Sequence, residues 1–205
     1  MLLGLITDIH EDVPRLRAAV DHLRRERVDQ IVMIGDVCSM TERLAETCAI
    51  LAAEGITGVW GNHDFGLCHQ PSKEFQEKYA GVILDYMSTL RPHLVIEGCL
   101  FSHVEPWLDA WNPADLWYFK GPPDTPDKLA RSFTAVPHRT IFIGHMHRWL
   151  HATPQGLSDW NGTEAVQLSS PERHFVVVGA LCDGCYATYE TENGLLTPYR
   201  LADGA

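Results

Sequence analysis

A chain of 205 residues fits one domain and can bury a core without disulfide support. Its hydrophobic fraction of 45% is ordinary for a globular protein, and no apolar run approaches the ~18 residues of a membrane-spanning helix. The formal net charge of −11 excludes broad binding to nucleic acid or anionic membrane, which needs clustered Lys and Arg, but it leaves room for a site whose bound cations invert the local field.

Residues 2–7 form an apolar run of strand length. No basic leader precedes it and Asp8 follows at once, so it reads as a first strand and not a secretory signal. Asp12 can cap a helix with Pro14 in its first turn, and Leu16, Ala19, Val20 and Leu23 recur at helical spacing. Residues 30–34 read as a second strand, apolar on both faces and suited to a buried parallel sheet. Thr41 is expected to cap the next helix, with Leu44, Cys48 and Leu51 on one face and Gly55 ending it. Residues 56–60 give a third strand, and this βαβαβ order predicts a parallel sheet with right-handed crossovers.

Residues 72–90 read as helix in one or two pieces, and 93–96 with 99–102 as a hairpin around Glu97-Gly98. Residues 105–126, rich in Trp and Pro, are expected to be a long irregular loop, and 127–133 a short helix. Short strands follow at 140–143, 149–152, 165–168, 175–178, 186–190 and 195–199, with Asn193-Gly194 marking a hairpin between the last two. An α/β half followed by a β-rich half fits two sheets packed face to face with helices outside.

The chemistry follows the strands. The first ends in Asp8-Ile9-His10, the second in Gly35-Asp36, the third in Gly61-Asn62-His63-Asp64. Later, residues 99–102 run into His103, and 140–143 into Gly144-His145-Met146-His147. In open α/β sheets the ligand site lies beyond the carboxyl ends of the strands. Any one of these residues alone is a turn or cap residue; five strand ends delivering carboxylates, imidazoles and an amide together point to a metal site. If the strand continues, Asp8 and His10 point the same way, as do His145 and His147. Neutral imidazoles and carboxylates suit Mn, Fe, Zn, Co or Ni better than Ca or Mg, and Asp36 is the natural bridging carboxylate. Cysteine is absent from these clusters, which argues against a structural thiolate zinc site. The six cysteines are expected to be thiols, with Cys182 and Cys185 ordinary turn residues.

Asp8-x-His10, Gly35-Asp36, Gly61-Asn62-His63-Asp64, His103 and Gly144-His145-x-His147 resemble, in order, the motif set of the calcineurin-like metallophosphoesterases. The tail, residues 176–199, resembles the closing strands of small single-domain bacterial members. The resemblance implies one domain over 1–205, an α/β fold built as a four-layer α/β/β/α sandwich of two mixed sheets, and two divalent transition-metal ions, Mn foremost. It implies that Asp8, His10, Asp36 and His147 hold one ion and Asp36, Asn62, His103 and His145 the other. His63 then faces the substrate and protonates the leaving group, and Asp64 orients His63. The continuation Asp36-Val37-Cys38-Ser39-Met40 lacks the Arg of relatives that act on phosphoproteins or diadenosine tetraphosphate, and Asp64 stands where those tend to have Glu. His103 is followed by Val104 where relatives often have Gly, and Val178-Gly179-Ala180 replaces an Asn-Pro-Gly-Ser segment.

The expected activity is hydrolysis of small phosphoesters or nucleotides, as a phosphodiesterase or phosphatase. The rivals are a protein Ser/Thr phosphatase, disfavoured by the missing Arg, and a non-catalytic scaffold, disfavoured by the complete ligand set. No stable nucleic-acid or membrane partner is expected, a homo-oligomer is compatible, and the location is expected to be cytoplasmic. His69 and Arg148 could approach the substrate but read better as surface residues. Trp107, Trp111, Trp117 and Tyr118 read equally as a wall beside the site, as core or as a subunit contact. Asn161-Gly162-Thr163 matches a glycosylation sequon, discounted without a signal peptide.

Overall fold

The computed structural model describes residues 1–39 and 41–202. The first sheet has the order β3 (Thr57–Val59), β2 (Gln30–Ile34), β1 (Leu2–Ile6), β11 (Cys185–Glu190), β12 (Leu195–Arg200), β9 (Val166–Gln167). The second runs β4 (His93–Ile96), β5 (Cys99–Ser102), β6 (Thr140–Ile143), β10 (His174–Val177), β7 (Leu150–Thr153), β8 (Gly156–Leu157). Each is mixed: β1, β2 and β3 are parallel, as are β5, β6 and β10, and antiparallel strands flank both sets.

Period-two alternation explains why the parallel strands are apolar throughout. Leu3, Leu5, Val32 and Ile34 face Phe101, Phe142 and Val176 of the opposite sheet, forming the central core. Ile6, Ile31 and Met33 face outward, under α1 (Val13–Arg25), α2 (Leu44–Ala53) and α5 (Val82–Met87). On the far side, Leu100, Ile141, Ile143, Phe175 and Val177 lie under Leu129 and Phe133 of α7 (Pro126–Ala135). The result is the expected α/β/β/α sandwich.

Local signals hold in detail at several points. The Asp12 side chain accepts from the Arg15 N–H at 3.1 Å to cap α1, with Pro14 in the first turn. Residues 72–90 contain two helices, α4 (Lys73–Lys78), capped by Ser72, and α5. In the 93–102 hairpin both Glu97 (φ 50) and Gly98 (φ 76) are left-handed, as a tight two-residue turn requires. The Asn193-Gly194 hairpin forms, but its ladder closes at Glu190 and Leu195, leaving a four-residue loop. Three short elements, α3 (Phe65–Cys68), α6 (Pro113–Leu116) and β8, lay below the resolution of the sequence pattern.

Thr41 does not cap α2. Arg43 occupies the cap position without a side-chain bond, and the Thr41 hydroxyl donates instead to Glu11, a buried carboxylate that competes better than a helix terminus. Met40, last in the second motif's continuation, lies outside the described residues. Among those described, no helix is long and apolar enough to cross a membrane.

Candidate functional site

The carboxyl ends of β1, β2, β3, β5 and β6 meet at one edge of the sandwich, and every motif residue lies just beyond them. None continues its strand. Asp8, His10, Asp36, His145 and His147 all have φ between 47 and 68, as does the adjacent Glu11. This corrects the expectation that Asp8 and His10, or His145 and His147, share a direction through strand geometry. Their chains coil into the left-handed region, costly for residues other than Gly, and the coil aims the side chains inward. The neighbouring strand supplies the restraint: the N–H groups of Asp8 and Ile9 donate to the carbonyls of Gly35 and Asp36 at 2.9 and 2.8 Å.

Two glycines are needed for close approach. A Cβ on Gly61 would collide with Asp36 Oδ1 and lie 2.7 Å from the Asp36 nitrogen; one on Gly144 would collide with Thr7 Oγ1 and lie 2.8 Å from Asp8 Oδ2. Each loop thus packs backbone directly against an acidic side chain.

The first group forms around Asp8, which is fully buried. Its Oδ2 accepts from the Thr7 hydroxyl at 2.7 Å and from the His145 N–H at 3.0 Å. Its Oδ1 has no hydrogen-bond partner and lies 3.4 Å from His147 Nε2 and 4.0 Å from His10 Nε2. His10 Nδ1 faces the Cys38 carbonyl at 3.3 Å and must carry the proton, which leaves a lone pair on Nε2. His147 Nδ1 faces Asp183 Oδ2 at 3.5 Å and so carries a proton, which leaves Nε2 directed at Asp8. The two Nε2 atoms are 3.2 Å apart. Two imidazole nitrogens and a carboxylate oxygen therefore converge, an arrangement that calls for positive charge among them, a proton or a metal ion.

The second group shares Asp36, whose Oδ2 lies 3.2 Å from His103 Nε2 and 3.9 Å from His10 Nε2. Its Oδ1 accepts from the His63 N–H at 3.0 Å. Buried His103 directs Nδ1 at the Ile34 carbonyl, 2.8 Å away, so Nε2 faces two acceptors, Asp36 and, at 3.1 Å, Asn62 Oδ1; without an ion it donates a proton to them, and a cation bound there would take that proton's place. His145 Nε2 is buried without a partner, and its ring meets His103 at 5.1 Å.

In the ion-free chain protons take the place of a cation. Burial alone would raise Asp36, but the charges and hydrogen bonds of His103 and His63 outweigh it and hold the carboxyl well below its usual range. Burial opposes charge on His103, yet Asp36 lifts it to about 9; hydrogen bonding to Asp8 lifts His147 to about 11. Burial and the neighbouring His103 push His145 down to about 4, so its ring stays neutral. The carboxylates draw positive charge to this edge, and the buried orphan atoms of Asp8 and His145 point into it. This donor set of carboxylate, imidazole and amide fits divalent transition metals.

Two sequence expectations need correction. Asp64 does not orient His63: its buried carboxylate accepts from the N–H groups of Val37, Cys38 and Gly61 at 2.9–3.2 Å and ties the second motif loop to the third. Burial and the Asp36 charge raise it to about 6, against the pull of those N–H groups. Nor is cysteine absent from the site. The turn at Leu181–Asp183, after β10, brings Cys182 Sγ to 3.7 Å from His147 Nδ1, beside Asp183. All six cysteines are free thiols, as expected. The ring of His63 is half-buried, edge-on to His10 at 5.1 Å. A ring nitrogen, a carboxylate oxygen of Asp36 and a nitrogen of His10 all lie within 4.8 Å of one another, so His63 is close enough to share the first group's cation.

Sequence reasoning missed Glu11, whose buried carboxylate accepts from the N–H groups of Ser39, Thr41 and Arg43 at 2.8–3.1 Å and shapes the loop beside the site. It also missed Arg15, which donates to Asp12 and, at 2.6 Å, to the Cys182 carbonyl, pinning the Cys182 turn. His69 packs among Trp60, Phe65 and Trp111 and does not face the cluster.

Comparison with known proteins identifies the fold and the family. A family model described as the calcineurin-like phosphoesterase superfamily domain covers residues 1–192. An uncharacterized protein of Methanocaldococcus jannaschii is 22% identical over 163 residues, covering 71% of this chain and 62% of that protein, so the chain spans less than two thirds of its relative's length. Among solved structures, a metallophosphoesterase from Sphaerobacter thermophilus superposes with a TM-score of 0.77 at 21% identity, over 98% of this chain and 88% of that one. An archaeal phosphodiesterase gives 0.56 at 14% identity, over 98% and 100%. Vacuolar protein sorting 29 of Cryptosporidium parvum gives 0.56 at 16%, over 100% and 93%. At these identities the structures share the fold, while the family match is carried by sequence across nearly the whole chain. The chain belongs to the calcineurin-like phosphoesterase superfamily.

Proposed function

We propose that this protein is a phosphodiesterase or phosphatase acting on small phosphoesters or nucleotides with two divalent metal ions, Mn²⁺ foremost. One observation carries the proposal: two groups of carboxylate, imidazole and amide atoms, all able to ligate a cation, converge on either side of the shared Asp36 carboxylate. In this reading Asp8, His10, Asp36 and His147 hold one ion, and Asp36, Asn62, His103 and His145 the other. When bound, such a pair lowers the pKa of water and neutralises charge on the transferring phosphoryl group.

The chain's own residues supply the rest. Half-buried His63 borders the first group, where it can hold a proton against a phosphoryl or leaving-group oxygen. Its backbone bond to Asp36 Oδ1 fixes it relative to the shared carboxylate. Asp64, through three backbone N–H groups, keeps the loops that carry Asp36 and Asn62 in register. Cys182 and Asp183 hold the proton on His147 Nδ1 and so aim Nε2 inward.

The test combines metal analysis with turnover of bis-p-nitrophenyl phosphate and p-nitrophenyl phosphate. His63→Ala is expected to retain metal and lose roughly 10²–10⁴-fold in kcat, the range of a general acid. Asp36→Asn should lose metal. Unchanged metal content and turnover in both variants would sink the assignment. A second reading, a metal-binding scaffold without turnover, is favoured by the fold shared with a protein named for vacuolar sorting and not for hydrolysis. It predicts full metal loading and no turnover of either ester. Six free thiols, typical of a reducing compartment, support a cytoplasmic location.

A further inference from the structure

The loop after β5 exposes aromatic surface at the edge of the site. Trp117 is 57% exposed and Phe119 62% exposed, unusual for such large apolar side chains. They alternate with inward residues. Leu116 is buried in the helical core layer, and Tyr118 stacks edge-on against Trp107 at 5.2 Å, which is itself covered by the Arg131 guanidinium at 3.7 Å. The anchored positions thus hold Trp117 and Phe119 outward together. Both stand beside histidines of the candidate centre: the Trp117 ring centroid is 4.9 Å from His63, and the Phe119 centroid 6.1 Å from His145. The packing that buries Leu116 and holds half-buried Tyr118 leaves their two neighbours exposed.

We propose that Trp117 and Phe119 form a stacking platform that selects phosphoesters carrying a planar aromatic ring, either a nucleobase or an aryl group. The proposal rests on the phosphoesterase reading above and narrows its substrate class. A phosphoryl group held between His63 and His145 would place its ester substituent over these rings. Stacking on an indole or phenyl face tolerates any flat π-system, so it selects for aromaticity and not for one base.

The experiment measures apparent affinities of methyl phosphate, phenyl phosphate and thymidine 5′-monophosphate for the Mn²⁺-loaded full chain, as competitors of initial-rate bis-p-nitrophenyl phosphate hydrolysis, a readout that holds whether or not the competitors are themselves turned over. The wild type should bind both aromatic esters more tightly than methyl phosphate. Trp117→Ala should lose roughly 5-fold or more of that advantage, and Trp117→Phe should keep most of it. Phe119→Ala, an independent variant, should show a smaller loss in the same direction. A loss for thymidine monophosphate alone identifies a nucleobase, and a loss for both identifies any aryl group. Ratios unchanged within twofold in both alanine variants, or no aromatic preference in the wild type, would overturn the platform while leaving the phosphoesterase reading intact. If the wild type does not hydrolyse bis-p-nitrophenyl phosphate, that reading fails and the platform falls with it.

Discussion

Replacing Asp64 with Ala separates two roles that the motif alone confounds. If Asp64 only oriented His63, its loss would reduce turnover and spare the fold. The structure gives it different work: three backbone N–H groups, from Val37, Cys38 and Gly61, end on its buried oxygens. Leaving three buried donors unpaired costs about 1–3 kcal/mol each, and part is recovered because a buried carboxylate, lifted to about 6, is itself expensive. A net loss of about 3–5 kcal/mol follows, which for a domain of this size lowers Tm by roughly 6–20 °C. The assay is thermal denaturation of metal-free wild type and variant, so that metal stabilisation does not mask the difference. Asp64→Asn should fall between, since its amide keeps one acceptor but sets its own donors against backbone donors. A Tm within about 2 °C of wild type, together with lost turnover, would refute this account and restore the orienting role.

Gly61→Ala should keep the fold but weaken metal binding about 10–100-fold, because the new Cβ displaces Asp36; titration of Mn²⁺ into the variant reads it directly. Glu11→Ala should cost about 2–4 kcal/mol and speed hydrogen exchange at the amides of Ser39, Thr41 and Arg43, while exchange across β1 stays slow. Acid sensitivity should trace partly to His151, which is buried, faces His174 Nδ1 at 3.0 Å through Nε2, and is pushed down to about 4, chiefly by burial. The unfolded chain takes up this proton first, so stability is full above about 6.5 and declines as pH falls toward 4, by at most about 3 kcal/mol. Denaturant midpoints across pH 4–7 should show a flatter acid limb in His151→Gln than in wild type.

The sandwich was legible because its strands are apolar on both faces and its helices carry one apolar stripe. β2 alternates Ile31 and Met33 against the helices with Val32 and Ile34 against the other sheet, and sequence shows this as an unbroken apolar run. The motif residues were legible because each follows such a run. What the sequence could not express is how they converge. Two-residue spacing suggested a shared strand face for Asp8 and His10, but both are left-handed, held there by bonds to β2, a tertiary effect that local pattern does not encode. Asp64 was found and misassigned, because two of its three backbone partners lie 26 and 27 residues away. Cys182 follows an apolar strand as the other site residues do, and that signal was available. The sequence reading sets it aside because the CxxC spacing of Cys182 and Cys185 comes without a second cysteine pair or a βαβ start.

The candidate ligands are divided between the sheets. Asp8, His10, Asp36 and Asn62 follow strands of the first, and His103, His145 and His147 strands of the second. A cation held by Asp8, His10 and His147 spans 139 positions of sequence between its outermost ligands, 8 and 147. Such an ion would be a staple across the sandwich seam as well as a reagent in the proposed reaction. It would stabilise the fold in proportion to the logarithm of its free concentration over its dissociation constant, about 4 kcal/mol at a thousandfold excess. No fragment ending before β6 contains that ligand set. Metal retention therefore reports that both halves of the chain have met, and chelation should open the seam to proteolysis before it unfolds either sheet.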